Sequence, residues 1–372
     1  MSATHDVLIL GGGGAGCSAA LHLALRGARV ALFERGLVGS QASGVNYGGV
    51  RQNGRHPAEL PIARRSREIW ARLPELIGTD AEFEVTGHLK LARSAAEEAE
   101  LADYMAVARE HDLPLELIGS NSIHARWPWL GPRVVAGAFA PEDGAANPRL
   151  LAPAFARAAR AAGAEIKEHA PVSEIAHDGA LFTLTIGDRT WRAPVALNCM
   201  GYWGGEIAAR FGEAVPVAPL APNMLVSEPI PYFIEPNMGV VGGDVYLRQI
   251  RRGNVIFGSG RGTSDPAVPW SRPLPEPTLT AMARAIELVP RLAGVQVIRS
   301  WTGIDGDMPD GLPVIGPSRT TPGLIHAFGF SGHGFMLGPG IGAILAELVL
   351  DGRTDVPLHP FRIDRFALGS AA

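Results

Sequence analysis

The stretch Asp6-Val7-Leu8-Ile9-Leu10-Gly11-Gly12-Gly13-Gly14-Ala15-Gly16-Cys17-Ser18-Ala19-Ala20-Leu21-His22-Leu23-Ala24-Leu25-Arg26-Gly27 decides how this chain folds. Its apolar start is the kind of short run that forms a buried parallel strand. Glycines interrupt it, a helix-forming segment follows, and Gly27 stops that helix. Arg29-Val30-Ala31-Leu32-Phe33 then reads as a second strand closing on Glu34. The result is a strand–helix–strand unit with Gly11, Gly13 and Gly16 at G-x-G-x-x-G spacing. Gly11 allows the tight turn, Gly13 lets backbone approach a pyrophosphate, and Gly16 lets helix and strand pack closely. Gly14 and Ala15 open a helix whose N-terminal amides face phosphate charge. Glu34, with Arg35 beside it, stands about twenty residues beyond the first glycine, where a carboxylate takes ribose hydroxyls. Cys17, just inside the helix, reads as small-residue packing rather than a reactive thiol. The unit predicts a dinucleotide site and leaves FAD and NAD both open.

Composition sets limits around that unit. A length of 372 residues points to two domains at about 150 residues each. Hydrophobic residues make up 47% and charged residues 19%, enough for a large core and too apolar for wholesale disorder. The net charge of −4, without long runs of one sign, argues against nucleic-acid binding or a polybasic membrane surface. Two cysteines make neither a disulfide framework nor a Cys-rich metal site, so no metal is expected. No run reaches the roughly 18 apolar residues of a membrane span, and no basic region precedes the first apolar run. The expectation is a cytoplasmic protein without a transmembrane segment. Among its cations only Lys90 and Lys167 are lysines.

Two further glycine-rich stretches bear on the cofactor. One is Gly39-Ser40-Gln41-Ala42-Ser43-Gly44-Val45-Asn46-Tyr47-Gly48-Gly49-Val50-Arg51. The other follows Pro309-Asp310-Gly311-Leu312-Pro313 and a strand at 324–327, and reads Gly329-Phe330-Ser331-Gly332-His333-Gly334-Phe335-Met336. After Pro339 the spacing predicts a helix over 340–350. A glycine loop feeding a helix is a second anion site, so a long cofactor held at both ends is expected.

These segments, with Leu197-Asn198-Cys199-Met200-Gly201-Tyr202-Trp203, occur in order across nearly the whole chain. Through them the sequence resembles the FAD-dependent D-amino-acid oxidase family, which includes glycine and sarcosine oxidases, with D-hydroxyproline dehydrogenase-type flavoproteins nearest. The resemblance implies an α/β fold. A Rossmann-like FAD-binding domain would be assembled from 1–85, 140–215 and 300–372. An α+β substrate domain with an antiparallel sheet would comprise 86–139 and 216–299. The sequence accommodates this with a helix from Asn147-Pro148 to Ala162, a strand from 165 toward Val172, strands at 244–249 and 254–258, and a helix near 278–290. Trp127 and Trp129 read as core. FAD contacts implied beyond the first loop are Ala42, Ser43, Gly48, Gly49, Val172, Gly201, Trp203, Gly303, Gly332, His333, Gly334, Phe335 and Met336. The implied reaction moves hydride from the α-carbon of a small amino or imino acid to flavin N5, giving an imine. A cyclic D-imino acid such as D-hydroxyproline or D-proline is the expected substrate.

The cofactor carries that chemistry, so the protein must orient substrate and stabilise developing charge. No dedicated base is required. A carboxylate substrate needs a fixed cation, ideally an arginine fork. Here the sequence departs from its relatives: Asp305 stands where glycine-oxidase-like members carry arginine, and Met336 where sarcosine-oxidase-like members carry lysine. Arg51 and Arg248 are the candidates left, with a structural ion pair as the other reading of each. Arg248 lies two residues beyond Tyr246, which the resemblance places toward substrate, so both point to one strand face. His333 is a candidate flavin or substrate contact; Asp305 and Asp307 lie near the same region, as an acidic cluster or a turn. Gly303 replaces the cysteine that tethers FAD in some relatives, implying non-covalent FAD. No lysine occurs in 254–257, where relatives that reduce oxygen quickly carry one, so electrons are expected to pass to another acceptor or a partner subunit. Two alternatives stay open: a flavin-binding electron-transfer subunit of a hetero-oligomer, and an NAD-linked dehydrogenase. Two distant cysteines exclude an iron–sulfur centre within the chain.

Overall fold

The structure is a computed structural model that describes residues 4–369. The opening run forms β1 (Val7–Leu10), followed by α1 (Gly14–Leu25) and β2 (Val30–Phe33). They belong to a six-stranded sheet in the order 314–317, 324–328, 195–198, β1, β2, 165–167. All neighbours are parallel except the antiparallel edge strand 314–317. β1 is apolar throughout because both faces are covered. Val7, Ile9 and Leu32 pack with residues of α1 and of helices 148–161 and 334–350. Leu8, Leu10, Ala31 and Phe33 pack against Phe182, Leu184 and Trp191 of a three-stranded antiparallel meander.

The C-terminal helix differs from the sequence expectation. It begins at Gly334, not Gly340, and carries Pro339 inside it. Proline normally breaks a helix by removing an amide and crowding the preceding turn. Here Ser66 repairs the break: its hydroxyl donates to the Met336 carbonyl at 2.5 Å and accepts from Gly340 N at 3.1 Å. A side chain is thus inserted into the i→i−4 ladder. Trp70 Nε1 donates to the same carbonyl at 3.0 Å. The helix crosses α1 closely, and Ser18 Oγ donates to Pro339 O at 2.9 Å.

A second sheet has eight strands in the order 297–301, 222–229, 254–261, 246–249, 237–240, 88–92, 136–140, 116–119. Its pairs are antiparallel, apart from the parallel pairing of 237–240 with 88–92. One face, including Leu89, Leu91, Met238 and Leu247, forms a core with helix 275–288. Trp127 is buried in that core and Trp129 packs against it. On the other face one register row runs Met224, Gly258, Tyr246, Gly239, Lys90 across five strands. Large side chains alternate with glycines along it. Strand 165–167 ends at Lys167, so Val172 lies in the loop beyond it. The architecture is the α/β fold with parallel and antiparallel sheets that the resemblance implied; residues 1–3 and 370–372 of the expected domain ranges lie outside the described residues.

Candidate functional site

A cavity of about 790 Å³ lies along the carboxyl end of β1 and runs to the row of the second sheet just described. Its volume is in the range of small-molecule and cofactor sites. Glu34, Arg35, Val172, Gly201 and Trp203 line one part; Gly11, Gly13, Gly14, Ala15, Ala42 and Ser43 line the glycine loops. Gly303, Gly332, His333, Gly334, Phe335, Arg51 and Tyr246 complete the wall.

The first loop has the build of a phosphate cradle. Gly11 adopts φ +102°, and a Cβ there would overlap the Cys199 carbonyl. Gly16 does not line the cavity; a Cβ at this position would overlap the Gly11 carbonyl oxygen, so it serves packing. Gly14 N donates to Ser43 Oγ at 2.9 Å, joining the two loops. Glu34 accepts from Gly12 N and Gly36 N, each at 2.8 Å, which fixes its carboxylate at the loop. Arg35 stacks 3.4 Å from the Trp203 ring centroid, and its buried Nη2 has no partner among the described residues. These groups suit an anionic nucleotide, and the helix beginning at Gly334 brings a second N-terminus to the wall.

Besides Gly16, four expected site residues lie behind the wall. Met336 is buried, its carbonyl held by Ser66 and Trp70. Gly49 pairs with Ala145. Gly48 has φ +90° and lies between the Ala146 carbonyl and the Arg248 guanidinium, where no side chain fits. Arg248 itself is corrected: it shares the strand face of Tyr246 but does not reach the cavity. Its Nε donates to the Tyr47 carbonyl at 2.5 Å, because the 46–49 loop is layered between it and the open space. Burial pushes its pKa down to about 10. It supports the loop from beneath.

Tyr246 does face the cavity, with its ring 4.7 Å from that of Tyr47 and its hydroxyl 3.2 Å from Met224 Sδ. Arg51 is the half-buried cation of the 51–54 turn. Its Nη1 donates to the Asn53 carbonyl at 2.7 Å, and no carboxylate among the described residues pairs with it. Asp143 pins this turn by accepting from Gln52 N at 2.8 Å and Asn53 N at 2.9 Å. Burial raises the Asp143 pKa to about 6 despite those bonds.

His333 lies 2.9 Å through Nδ1 from Glu59, which is fully buried and stands 3.5 Å from Arg55. Burial holds the imidazole below its usual pKa, outweighing the Glu59 carboxylate. Burial pushes Glu59 the other way, but the bond from His333 and the neighbouring positive charges keep it below the usual range. A neutral imidazole beside an ionised carboxylate balanced by Arg55 is the consistent state. Asp305 accepts from Gly306 N at 2.8 Å and Gly332 N at 2.9 Å, and burial raises it to about 6. It ties down the second glycine loop. Asp307 pairs with Arg261 at 3.2 Å.

Sequence reasoning missed Glu59, His88 and Lys90. The last two line the cavity from strand 88–92. Their signal was the alternation His88-Leu89-Lys90-Leu91, two polar side chains on one face of an otherwise apolar strand. Lys90 also corrects the inference drawn from 254–257: a lysine does enter this cavity, from a strand elsewhere in the sequence.

A nucleotide cradle built from two helix N-termini, set against an antiparallel sheet that presents polar side chains, defines a cofactor-dependent oxidoreductase. The chain belongs to the DAO family, described as FAD dependent oxidoreductase, which matches residues 6–348. It is 29% identical to glycine oxidase of Geobacillus kaustophilus (strain HTA426), over 98% of both chains. It is 27% identical to sarcosine oxidase subunit beta of Rhizobium meliloti (strain 1021), over 98% of this chain and 89% of the relative. Among solved structures, L-proline dehydrogenase from P. horikoshii superposes with TM-score 0.90 at 26% identity, over 99% of each chain. The chain is an FAD-dependent oxidoreductase, and the NAD-linked alternative falls. No helix among the described residues is long and apolar enough to cross a membrane.

Proposed function

We propose that this enzyme oxidises the C–H bond next to the nitrogen of a small amino or imino acid, giving an imine. A cyclic D-imino acid such as D-hydroxyproline or D-proline is the substrate we favour. The observation that carries the reading is Arg51, a cavity-lining guanidinium without a carboxylate partner, on the same cavity as Tyr246. Bound FAD supplies the two-electron acceptor. The fork of Arg51 holds the substrate carboxylate. The rings of Tyr47 and Tyr246, inclined at 46° to each other, form an apolar wall suited to a small ring and exclude water from it. With Glu59 accepting the Nδ1 proton, His333 keeps Nε2 free to take the proton that a substrate ammonium must lose.

FAD is held without a covalent bond in this reading. Gly303 leaves no room for a side chain, since a Cβ would overlap Val45. Cys17 and Cys199 are buried, and burial pushes the Cys199 thiol up to about 12. Within the described residues, the cofactor half follows the ranges 1–85, 140–215 and 300–372 and the substrate half 86–139 and 216–299, in a cytoplasmic protein. The exception is that strands 136–140 and 297–301 belong whole to the substrate sheet and move those two bounds to 140/141 and 301/302. Electrons pass to an acceptor other than oxygen, a carrier or a partner subunit. Similarity to a protein named as a dehydrogenase and to one named as a subunit supports this; the missing lysine at 254–257 no longer does, given Lys90. The unpaired cavity cations weigh against a subunit lacking its own substrate.

The test is anaerobic flavin absorbance of the purified holoenzyme. It is titrated with D-proline, cis-4-hydroxy-D-proline, their L-isomers, glycine and sarcosine, and oxygen is admitted afterwards. Bleaching by a D-imino acid with slow recovery in air is expected. Bleaching by glycine alone, or recovery in air as fast as with an artificial acceptor, overturns the substrate or the acceptor assignment respectively.

A further inference from the structure

We infer that Lys90 is the second half of a two-cation clamp that, with Arg51, grips the single carboxylate of the substrate; this rests on the proposed function and deepens it. In the second sheet, Gly239 pairs with Tyr246 on one side and with Lys90 on the other. Residues directly paired across strands point to one face. Tyr246 and Lys90 therefore look into the same space, and the glycine between them leaves the floor open. Both line the cavity.

One turn gathers the two cations. Arg51 donates to the Asn53 carbonyl at 2.7 Å. The next residue, Gly54, has φ +69°, and a Cβ there would lie 2.7 Å from Lys90 Nζ. The turn is rigidly mounted: Asp143 takes the Gln52 and Asn53 amides, and Asn53 Nδ2 donates to the Ala138 carbonyl at 2.8 Å. Ala138 is the cross-strand partner of Lys90, so turn and lysine are fixed to the same point of the sheet.

The ammonium has no hydrogen-bond or carboxylate partner among the described residues. The nearby acids are occupied. Glu59 serves Arg55 and His333, Asp143 serves the turn amides, and Asp305 serves Gly306 and Gly332. Glu100 is exposed on helix 95–110 and makes no ion pair with Lys90. Burial first, and the charge of Arg51 second, hold Lys90 below the usual lysine pKa. Two mutually repelling cations, partly desolvated and without an internal anion, form a site that an external carboxylate completes. This also accounts for Asp305 and Met336: the charge absent from those positions is supplied by the sheet and the 51–54 turn.

The experiment uses FAD-loaded wild type, Lys90→Met, Lys90→Arg and Arg51→Met, matched for flavin content. Calorimetry measures binding of pyrrole-2-carboxylate, pyrrole-2-carboxamide and pyrrole-2,5-dicarboxylate. Loss of a charged hydrogen bond predicts that Lys90→Met weakens the carboxylate about 10- to 100-fold. The carboxamide should change by less than about 2-fold, since it lacks the charge, and Lys90→Arg should restore most of the loss. Unchanged carboxylate affinity in Lys90→Met, or equal weakening of carboxylate and carboxamide, overturns the clamp. A dicarboxylate that binds wild type more tightly than the monocarboxylate, with the gain lost in Lys90→Met, assigns Lys90 to a second anion and also overturns the shared clamp. Arg51→Met separates the two levels of inference. If it abolishes the carboxylate preference and Lys90→Met does not, only the clamp fails; if wild type shows no preference, the proposed function fails with it.

Discussion

An added Cβ at Gly16, in the nucleotide loop, would overlap the Gly11 carbonyl oxygen, whereas at Gly239, in the sheet floor, the nearest atoms stand 3.8 Å away. Both residues are glycine for different reasons. At Gly16 two backbone segments come so close that no side chain fits, so the glycine is needed before any ligand arrives. At Gly239 the polypeptide itself has room, and what the missing side chain provides is open space over the sheet. One end of the cavity is constrained by chain packing, the other by what must enter it. The largest expected effect follows: Gly16→Ala should yield little or no flavin-loaded protein, because a backbone oxygen cannot move aside as a side-chain end can. The flavin-to-protein absorbance ratio after purification measures it. A normal ratio would erase the distinction.

Gly239→Leu sharpens the comparison from the other side. Its backbone φ is ordinary, so the protein should fold and keep its flavin. Yet the new side chain would stand between Tyr246 and Lys90. We expect kcat/KM for the amine substrate to fall on the order of 100-fold, the scale of a misplaced substrate, at unchanged flavin content. Equal loss of flavin and activity would show that the floor, like the loop, is structurally constrained.

The same contrast explains what could be read from the chain. The strand–helix–strand unit is local: the glycine spacing, the apolar run and Glu34 lie within thirty-four residues, and each constrains its neighbours sterically. The floor is not local. Lys90, Gly239 and Tyr246 meet only because strand 88–92 pairs in parallel with 237–240, a register that no local periodicity encodes. Arg248 shows the intermediate case. Period-two alternation placed it on the correct face, but the 46–49 loop lying over that face was not visible, so a residue read as touching substrate proves to hold the Tyr47 carbonyl. The helix start at Gly334 was hidden by Pro339, since the repair comes from Ser66, which is remote in sequence.

Asp143 offers a smaller effect that links the two regions by pH. Its carboxyl is raised from 3.8 to about 6 by burial, so the folded state binds this proton more tightly than the unfolded chain. The contribution to stability is therefore present at low pH and lost as pH rises from about 4 to above 6. By linkage, the stability of wild type relative to Asp143→Asn should drop by about 2 kcal/mol between pH 4.5 and pH 7. Denaturant unfolding of the two holoenzymes at each pH gives the difference directly. A flat difference would show that the two amides of the 51–54 turn, rather than burial, govern this carboxyl.

The smallest effect is expected at Ser66→Ala, beside the Pro339 turn of the C-terminal helix. The hydroxyl accepts from Gly340 N and donates to the Met336 carbonyl. Removing it strands one buried amide, while the Met336 carbonyl keeps Trp70 Nε1 at 3.0 Å. A buried unsatisfied amide costs about 1–3 kcal/mol, but this helix has a way to relax. With the hydroxyl gone, Gly340 N can approach the Met336 carbonyl and close the ordinary i→i−4 bond, limited by the Pro339 ring. The net loss should therefore sit near the bottom of that range, about 1 kcal/mol. The relaxation shifts the first turn of the helix, which with its N-cap brings Phe335 and His333 to the cavity, so FAD affinity should fall together with stability. Melting temperatures of apo- and holoenzyme separate the two. If the apo and holo values drop together and the flavin-dependent increment is unchanged, the Ser66 contact is a packing device; if the increment shrinks as well, Ser66 aims the helix N-terminus at the cofactor, and the nucleotide end is constrained by a remote hydroxyl as well as by its own glycines.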